Sequence, residues 1–143
     1  MEFLKSWTNN LVNTLELELD RGISEKIIEK CGRICANECG ATKEVEEIVK
    51  SLGDTVSVDS IIEKMNKAGI GGGKLRKEGN VIVGIYDQCY CPSRKHIKSN
   101  IYCRCTQGWV KEVFERVLEK NVDVVLENSI AWGDEICKFV VTY

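Results

Sequence analysis

The chain has 143 residues, 29% of them charged and 43% apolar, with a formal net charge of −2. A chain of this length forms one domain that buries about 68–70% of its unfolded surface, so neither a metal nor a disulfide is needed merely to fold. The slight acidic balance leaves no whole-molecule basic field to draw it onto nucleic acid. Glu2, Lys5, Asn9, Asn10 and Glu16 interrupt the first apolar residues, which therefore read as neither a secretion signal nor a membrane span. A cytoplasmic protein without membrane or nucleic-acid partners is expected.

Phe3, Leu4, Trp7, Leu11, Leu15 and Leu19 recur at spacings of three and four, which predicts one stripe of a first helix, broken at Asp20–Gly22. A second helix is expected to start at Ser24 as N-cap, to turn Ile27, Ile28, Cys31, Ile34 and Cys35 inward, and to end at Gly40. A third covers 42 to 52 with Val45, Ile48, Val49 and Leu52 inward. The fourth covers 58 to 68 with Ile61, Ile62 and Met65 inward, and Ser60 and Glu63 stand at capping-box spacing. Glycines then end the helical period, and "KLRK", "EGN" and "VIVGIYD" read as strand, turn, strand. From Thr106 to Lys120 the period returns, with Trp109, Val110, Val113, Phe114, Val117 and Leu118 on one face, and Asn121 closes it. "NVDVVLENSI" and "EICKFVVTY" form a second hairpin. The order predicts a single α+β domain over 1–143: N-terminal helices (1–68) packed on an antiparallel sheet of two hairpins with an intervening long helix (70–143).

The stretch "CYCPSRKHIKSNIYCRC" holds four of the eight cysteines as two Cys-x-Cys pairs. Residues two apart in an extended segment point the same way, so Cys89 with Cys91, and Cys103 with Cys105, each present two sulfurs together. Four such sulfurs match the tetrahedral thiolate set of a zinc ion or the ligands of an iron–sulfur cluster. Two other readings stand beside the metal. Arg94, Lys95 and Lys98 in the loop between the pairs would favour reactive thiolates, and single cysteines pack as small apolar residues. His96 reads as part of a solvated loop. Cys31, Cys35 and Cys39 form one helical stripe; the first two coincide with apolar positions and read as core, or as additional thiols facing the pairs. Cys137 alternates with Phe139 and Val141 and reads as core unless that sheet face lines a pocket. "AGIGGGKL" lacks the Ser or Thr after its Lys and the strand-then-helix context of a phosphate loop, so its glycines turn the chain or admit a close ligand. Tyr86, Trp109 and Trp132 are the candidates for an apolar ligand cavity.

The segment from "YCRCTQGW" to "EICKFVVTY" resembles the end of 4-vinyl-reductase-type ligand-binding domains, through Gly108, Val122, Val124, Gly133, Cys137 and Phe139. Together "CGRICA", "GIGGGKL", "GNVIVGIYDQCYC" and "YCRCTQGW" are similar to prokaryotic proteins related to L-2-amino-thiazoline-4-carboxylic acid hydrolase. The resemblance implies a helix-plus-antiparallel-sheet fold related to trafficking-complex ligand-binding subunits, an internal cavity for an apolar or small cyclic ligand, and a homodimer. The expected function is a small-molecule-binding or sensor domain whose Cys89, Cys91, Cys103 and Cys105 hold zinc, or alternatively an iron–sulfur cluster. The alternative is a hydrolase acting on a thiazoline- or amide-like ring through a metal-bound water or a thiolate such as Cys103.

Overall fold

The computed structural model describes residues 1–91, 93 and 95–143; Pro92 and Arg94, the latter one of the basic residues between the cysteine pairs, lie outside them. The helices are α1 (Glu2–Glu18), α2 (Arg21–Glu38), α3 (Ala41–Leu52), α4 (Val58–Ala68) and α5 (Arg104–Leu118). The strands are β1 (Arg76–Glu78), β2 (Val81–Tyr86), β3 (Asp123–Asn128) and β4 (Cys137–Thr142). Among the described residues the strands form one antiparallel sheet in the order β1-β2-β4-β3, with each hairpin's strands adjacent. The expected α+β architecture is therefore present, with α5 between the two hairpins in sequence.

The helix ends follow local chemistry, not always at the residues expected. Asp20, not Ser24, caps α2 by accepting from the Gly22 amide, because it stands at the break and α1 has already ended at Glu18. Gly40 is left-handed at φ 86°, as a helix stop requires. The capping box of α4 pairs Ser57 with Ser60, one turn earlier than Ser60 with Glu63. Glu119 rather than Asn121 takes the left-handed conformation that ends α5.

Val45, Ile61, Ile62 and Met65 from α3 and α4 meet Val110, Val113, Phe114 and Val117 of α5 and Ile82, Phe139 and Val141 of the sheet in the main core. The inward stripes of α3, α4 and α5 are those the spacing predicts.

The first two helices reverse it. Phe3, Leu4, Trp7 and Leu11 are exposed, and α1 packs instead through Val12 and Leu15 against Ile28, Ile97 and Ile101. Polar bonds hold that side down: Asn9 accepts from the Lys98 amide, and Glu16 from the Ser99 hydroxyl. α2 buries Ser24, Ile28, Gly32 and Ala36 and leaves Ile23, Ile27, Cys31, Ile34 and Cys35 exposed. The cause is the closeness of α5. A β-carbon on Gly32 would lie 1.9 Å from the Cys105 carbonyl oxygen, and one on Gly108 would lie 1.8 Å from that of Glu29. Only small residues permit such an approach, so α2 turns its small side inward and its isoleucines outward. Arg33 pairs with Glu112 at 2.8 Å and with Glu115 across the same contact.

Candidate functional site

The α2–α5 contact fixes more than packing, because it brings the Cys35 end of α2 beside Cys105 in the first turn of α5. β2 ends opposite β4, with Tyr86 paired to Cys137. The turn after α4 closes the remaining side through Gly69 and Gly72. Gly72 is left-handed at φ 93°, and a β-carbon there would lie 2.6 Å from the Ile85 carbonyl oxygen, so glycine is the residue that lets this turn lie against the Tyr86 wall. Between these elements lies a cavity of about 500 Å³.

Six of the eight cysteines line it: Cys35, Cys89, Cys91, Cys103, Cys105 and Cys137. Tyr86, Tyr90, Tyr102 and Trp109 supply aromatic walls, Leu126 and Ala131 aliphatic ones, and Gln88, Thr106 and Ser129 the polar groups. The residues of the two Cys-x-Cys pairs thus face one space, together with the second helical thiol expected to join them, Cys35. Cys31 and Cys39 do not line it, and Cys31, Cys35 and Cys39 are all exposed, so neither Cys31 nor Cys35 is a core residue. Tyr86 and Trp109 are on the wall. Trp132 is not; its indole N–H donates to the Asn100 carbonyl at 3.1 Å and its ring lies under the Arg104 guanidinium at 5.3 Å. His96 stands apart, beside Leu4, Lys5 and Thr8 of α1.

The sulfurs have local partners. The buried Ser129 hydroxyl donates to Cys103 Sγ at 3.2 Å, the Cys91 thiol donates to the Tyr102 hydroxyl at 3.5 Å, and the Ile130 amide donates to Cys137 Sγ at 3.3 Å. Ser129 is in turn fixed by Asp134, which accepts from its amide at 2.9 Å. Burial dominates the electrostatics. It pushes the Cys105 thiol up to about 12, with Cys35 and Cys91 adding to the shift. It raises Cys103 as well, against the opposing pull of the Ser129 hydrogen bond. Burial also raises Cys35, and more weakly so do Cys39, Glu38 and Cys91 nearby. The Tyr86 and Tyr102 phenols are raised for the same reason. At neutral pH these groups are held as neutral thiols and phenols, which makes the wall apolar and polarisable rather than charged.

All eight cysteines are free thiols. Among the described residues no group of three or more His, Cys, Asp or Glu side chains is gathered closely enough to hold a metal ion. The sulfurs surround the cavity; they do not meet at one point in it. Sequence spacing marks the four cysteines of the two pairs and offers Cys35 as an additional thiol; Cys137, read as core unless its sheet face lines a pocket, does line one, and Ser129, Thr106 and Leu126 carry no such signal. They reach the cavity because of strand register and helix phase. Among the described residues no helix is long and apolar enough to cross a membrane.

Among the solved structures that share the fold are two of known ligand content. The phenol-responsive sensory domain of the transcription activator PoxR, in a structure with phenol, aligns over 96% of this chain and 73% of its own, at 10% identity and a TM-score of 0.60. A trafficking protein particle complex subunit 3 from Naegleria fowleri, covalently bound to palmitic acid, aligns over 99% and 96%, at 12% identity and a TM-score of 0.57. The trafficking-complex likeness that the resemblance implies is thus present in the fold. No curated protein matches the chain. The family match carries neither the 4-vinyl-reductase nor the thiazoline-hydrolase name: over residues 2–143 the chain belongs to a family of unknown function, DUF6144.

Proposed function

We propose that this protein is a small-molecule-binding domain that takes a compact, largely apolar ligand into the cavity between α5, the ends of β2 and β4, and the end of α2. One observation carries the reading: a space of about 500 Å³ walled mainly by aromatic rings, aliphatic groups and neutral thiols. Sites for small organic ligands are typically concave, of roughly this size, mostly apolar, and furnished with a few polar groups that orient the guest. Here Gln88, Thr106 and Ser129 fill that role. Further support is the fold likeness to one domain that responds to phenol and another that carries palmitic acid. Phenols and aliphatic acids are accordingly the two ligand classes to test first. The reading includes a cytoplasmic setting and a single domain.

The test is calorimetry and thermal unfolding of the reduced chain with phenol and, separately, a medium-chain fatty acid. Saturable one-to-one binding is expected with at least one class. A ligand hundredfold above its Kd should stabilise by about 2.7 kcal/mol, or a Tm rise of about 10 °C. Thr106→Trp, which fills the cavity from α5, should abolish that rise while leaving the chain folded. Absence of saturable binding to both classes would refute the reading.

A second reading keeps a metal in the site. Its support is that six sulfurs line one cavity, a donor set that suits zinc or an iron–sulfur cluster; Cys89, Cys91, Cys103 and Cys105 would be the ligands. Zinc binding would require these side chains to turn toward a common point and lose their protons, so it would weaken as pH falls. Elemental analysis of protein purified without chelator, with a native thiol count, separates the readings: one tightly held metal and four protected thiols favour the metal. The hydrolase alternative is weakened by the raised Cys103 thiol, since burial suppresses the thiolate a nucleophile needs.

A further inference from the structure

The cavity lies where a helix would ordinarily hold an anion. The start of α5 borders it through Cys103, Cys105 and Thr106, and the free amides of a helix N-terminus are a ready site for a carboxylate or phosphate. Here those amides are already engaged. The Arg104 amide donates to the Ile101 carbonyl at 3.0 Å, the Cys105 amide to that of Tyr102 at 3.0 Å, and the Thr106 amide to that of Cys103 at 3.1 Å, because the chain enters the helix through a preceding turn.

Side chains do not replace those donors with charge. Cys103 and Cys105 both line the cavity, yet Arg104 between them turns its guanidinium to the Trp132 ring, at 5.3 Å, and to Gln107, which accepts from Nη1 at 3.1 Å; Glu25 lies 3.7 Å from its Nε. Lys74, beside Tyr90 at the rim, is paired with Asp87 at 2.9 Å. Among the described residues the lining holds no Lys, Arg, His, Asp or Glu.

The polar groups that do line it are neutral and largely bonded to one another. Gln88 donates to the Tyr90 hydroxyl at 3.0 Å, Cys91 to that of Tyr102, and Ser129 to Cys103 while accepting from the Ala131 amide. Such groups can meet a hydroxyl or an amide; they do not offset a full charge. At the mouth the sign is unfavourable as well. Glu38 is exposed three residues beyond Cys35 on α2, and residues so spaced are neighbours on a helix. A carboxylate that enters loses its water without gaining a counter-charge, and one left at the mouth meets Glu38.

We infer that the cavity selects guests without an anionic group: an amide, ester or alcohol on an aliphatic or aromatic frame, rather than a free carboxylic acid. The inference rests on the ligand reading and narrows it, because shape alone would admit an acid and its amide equally. The thiols and phenols of the wall agree, since burial raises them and, among the described residues, no cation pulls them back.

Two isosteric pairs, benzamide with benzoate and hexanamide with hexanoate, titrated calorimetrically into the reduced full chain at neutral pH, provide the test. At least one amide is expected to saturate, with its carboxylate about a hundredfold weaker or more, as a desolvated charge without a partner requires. Gln88→Lys puts a cation at an exposed lining position and should narrow that gap about tenfold, with the far-ultraviolet dichroism unchanged. A carboxylate that binds as tightly as its amide, or in its place, overturns the inference and leaves the ligand reading standing. So does a gap that Gln88→Lys leaves as it was. Saturation by none of the four probes overturns both.

Discussion

Cys105 and Cys31 have the same side chain and lie on neighbouring helices, yet they are predicted to behave as different chemical groups. The first is half-buried in the cavity wall, its thiol pushed up to about 12; the second is exposed on α2. Because the thiolate is the reactive form, iodoacetamide at neutral pH should label Cys31 and Cys39 first in dilute native protein. Cys103 and Cys105, half-buried with raised thiols, should react more slowly in the folded chain and lose that protection once it is unfolded in urea, as peptide mass spectrometry can follow. Labelling of Cys105 as fast as Cys39 would contradict the burial. The residue types at the site were legible as sequence, since paired sulfurs two apart announce themselves. Their exposure was not, because Cys31 and Cys35 occupy positions that a helical stripe assigns to a core.

At the scale of elements, the α2–α5 contact decides where the cavity thiols stand. Gly108→Ala would push a methyl group into the Glu29 carbonyl, a backbone atom that cannot rotate away, so the helices must part. Overpacking of this kind costs about 1–3 kcal/mol, which the midpoint of a urea titration would read, and it should weaken ligand binding as well by displacing Cys105 from Cys35. Ser57→Ala offers a contrast. It removes the Ser60 amide's acceptor at the start of α4 and should cost about 1 kcal/mol, with ligand affinity unchanged. Periodicity located all five helices and the four strands within a few residues, because 3.6 and 2.0 repeats are local properties. Leu15 and Ile28 point inward as expected, but most of the apolar stripe of α2 turns outward because α5 approaches so closely, and that of α1 because it packs through Val12 and Leu15 on Ile28 and the segment holding Ile97 and Ile101.

For the whole molecule, the raised thiols link stability to alkaline pH. A Cys105 thiol with an ordinary value of 9.0 that reaches about 12 in the fold binds its proton more tightly when folded. Its contribution is complete below about pH 9 and is lost as pH climbs toward 12, because the unfolded chain then releases a proton the folded chain keeps. Cys103, Cys35 and the two phenols shift in the same direction. Urea midpoints should therefore fall between pH 9 and pH 11, and Cys105→Ser should reduce the fall. A midpoint that does not change over that range would show the thiols to be solvated.

Taken alone, the amino-acid sequence determined the class of fold, the sequence of elements, and the cysteines from which a site would be built. Each of these depends on spacing within a short segment, where residue type and backbone period are enough. The tertiary structure decided that the sulfurs ring a cavity without converging on one point, that Trp132 belongs to another contact, and that two apolar stripes look outward. Those outcomes depend on distances between segments tens of residues apart, such as Gly32 against Cys105 and Gly108 against Glu29, which no local pattern records.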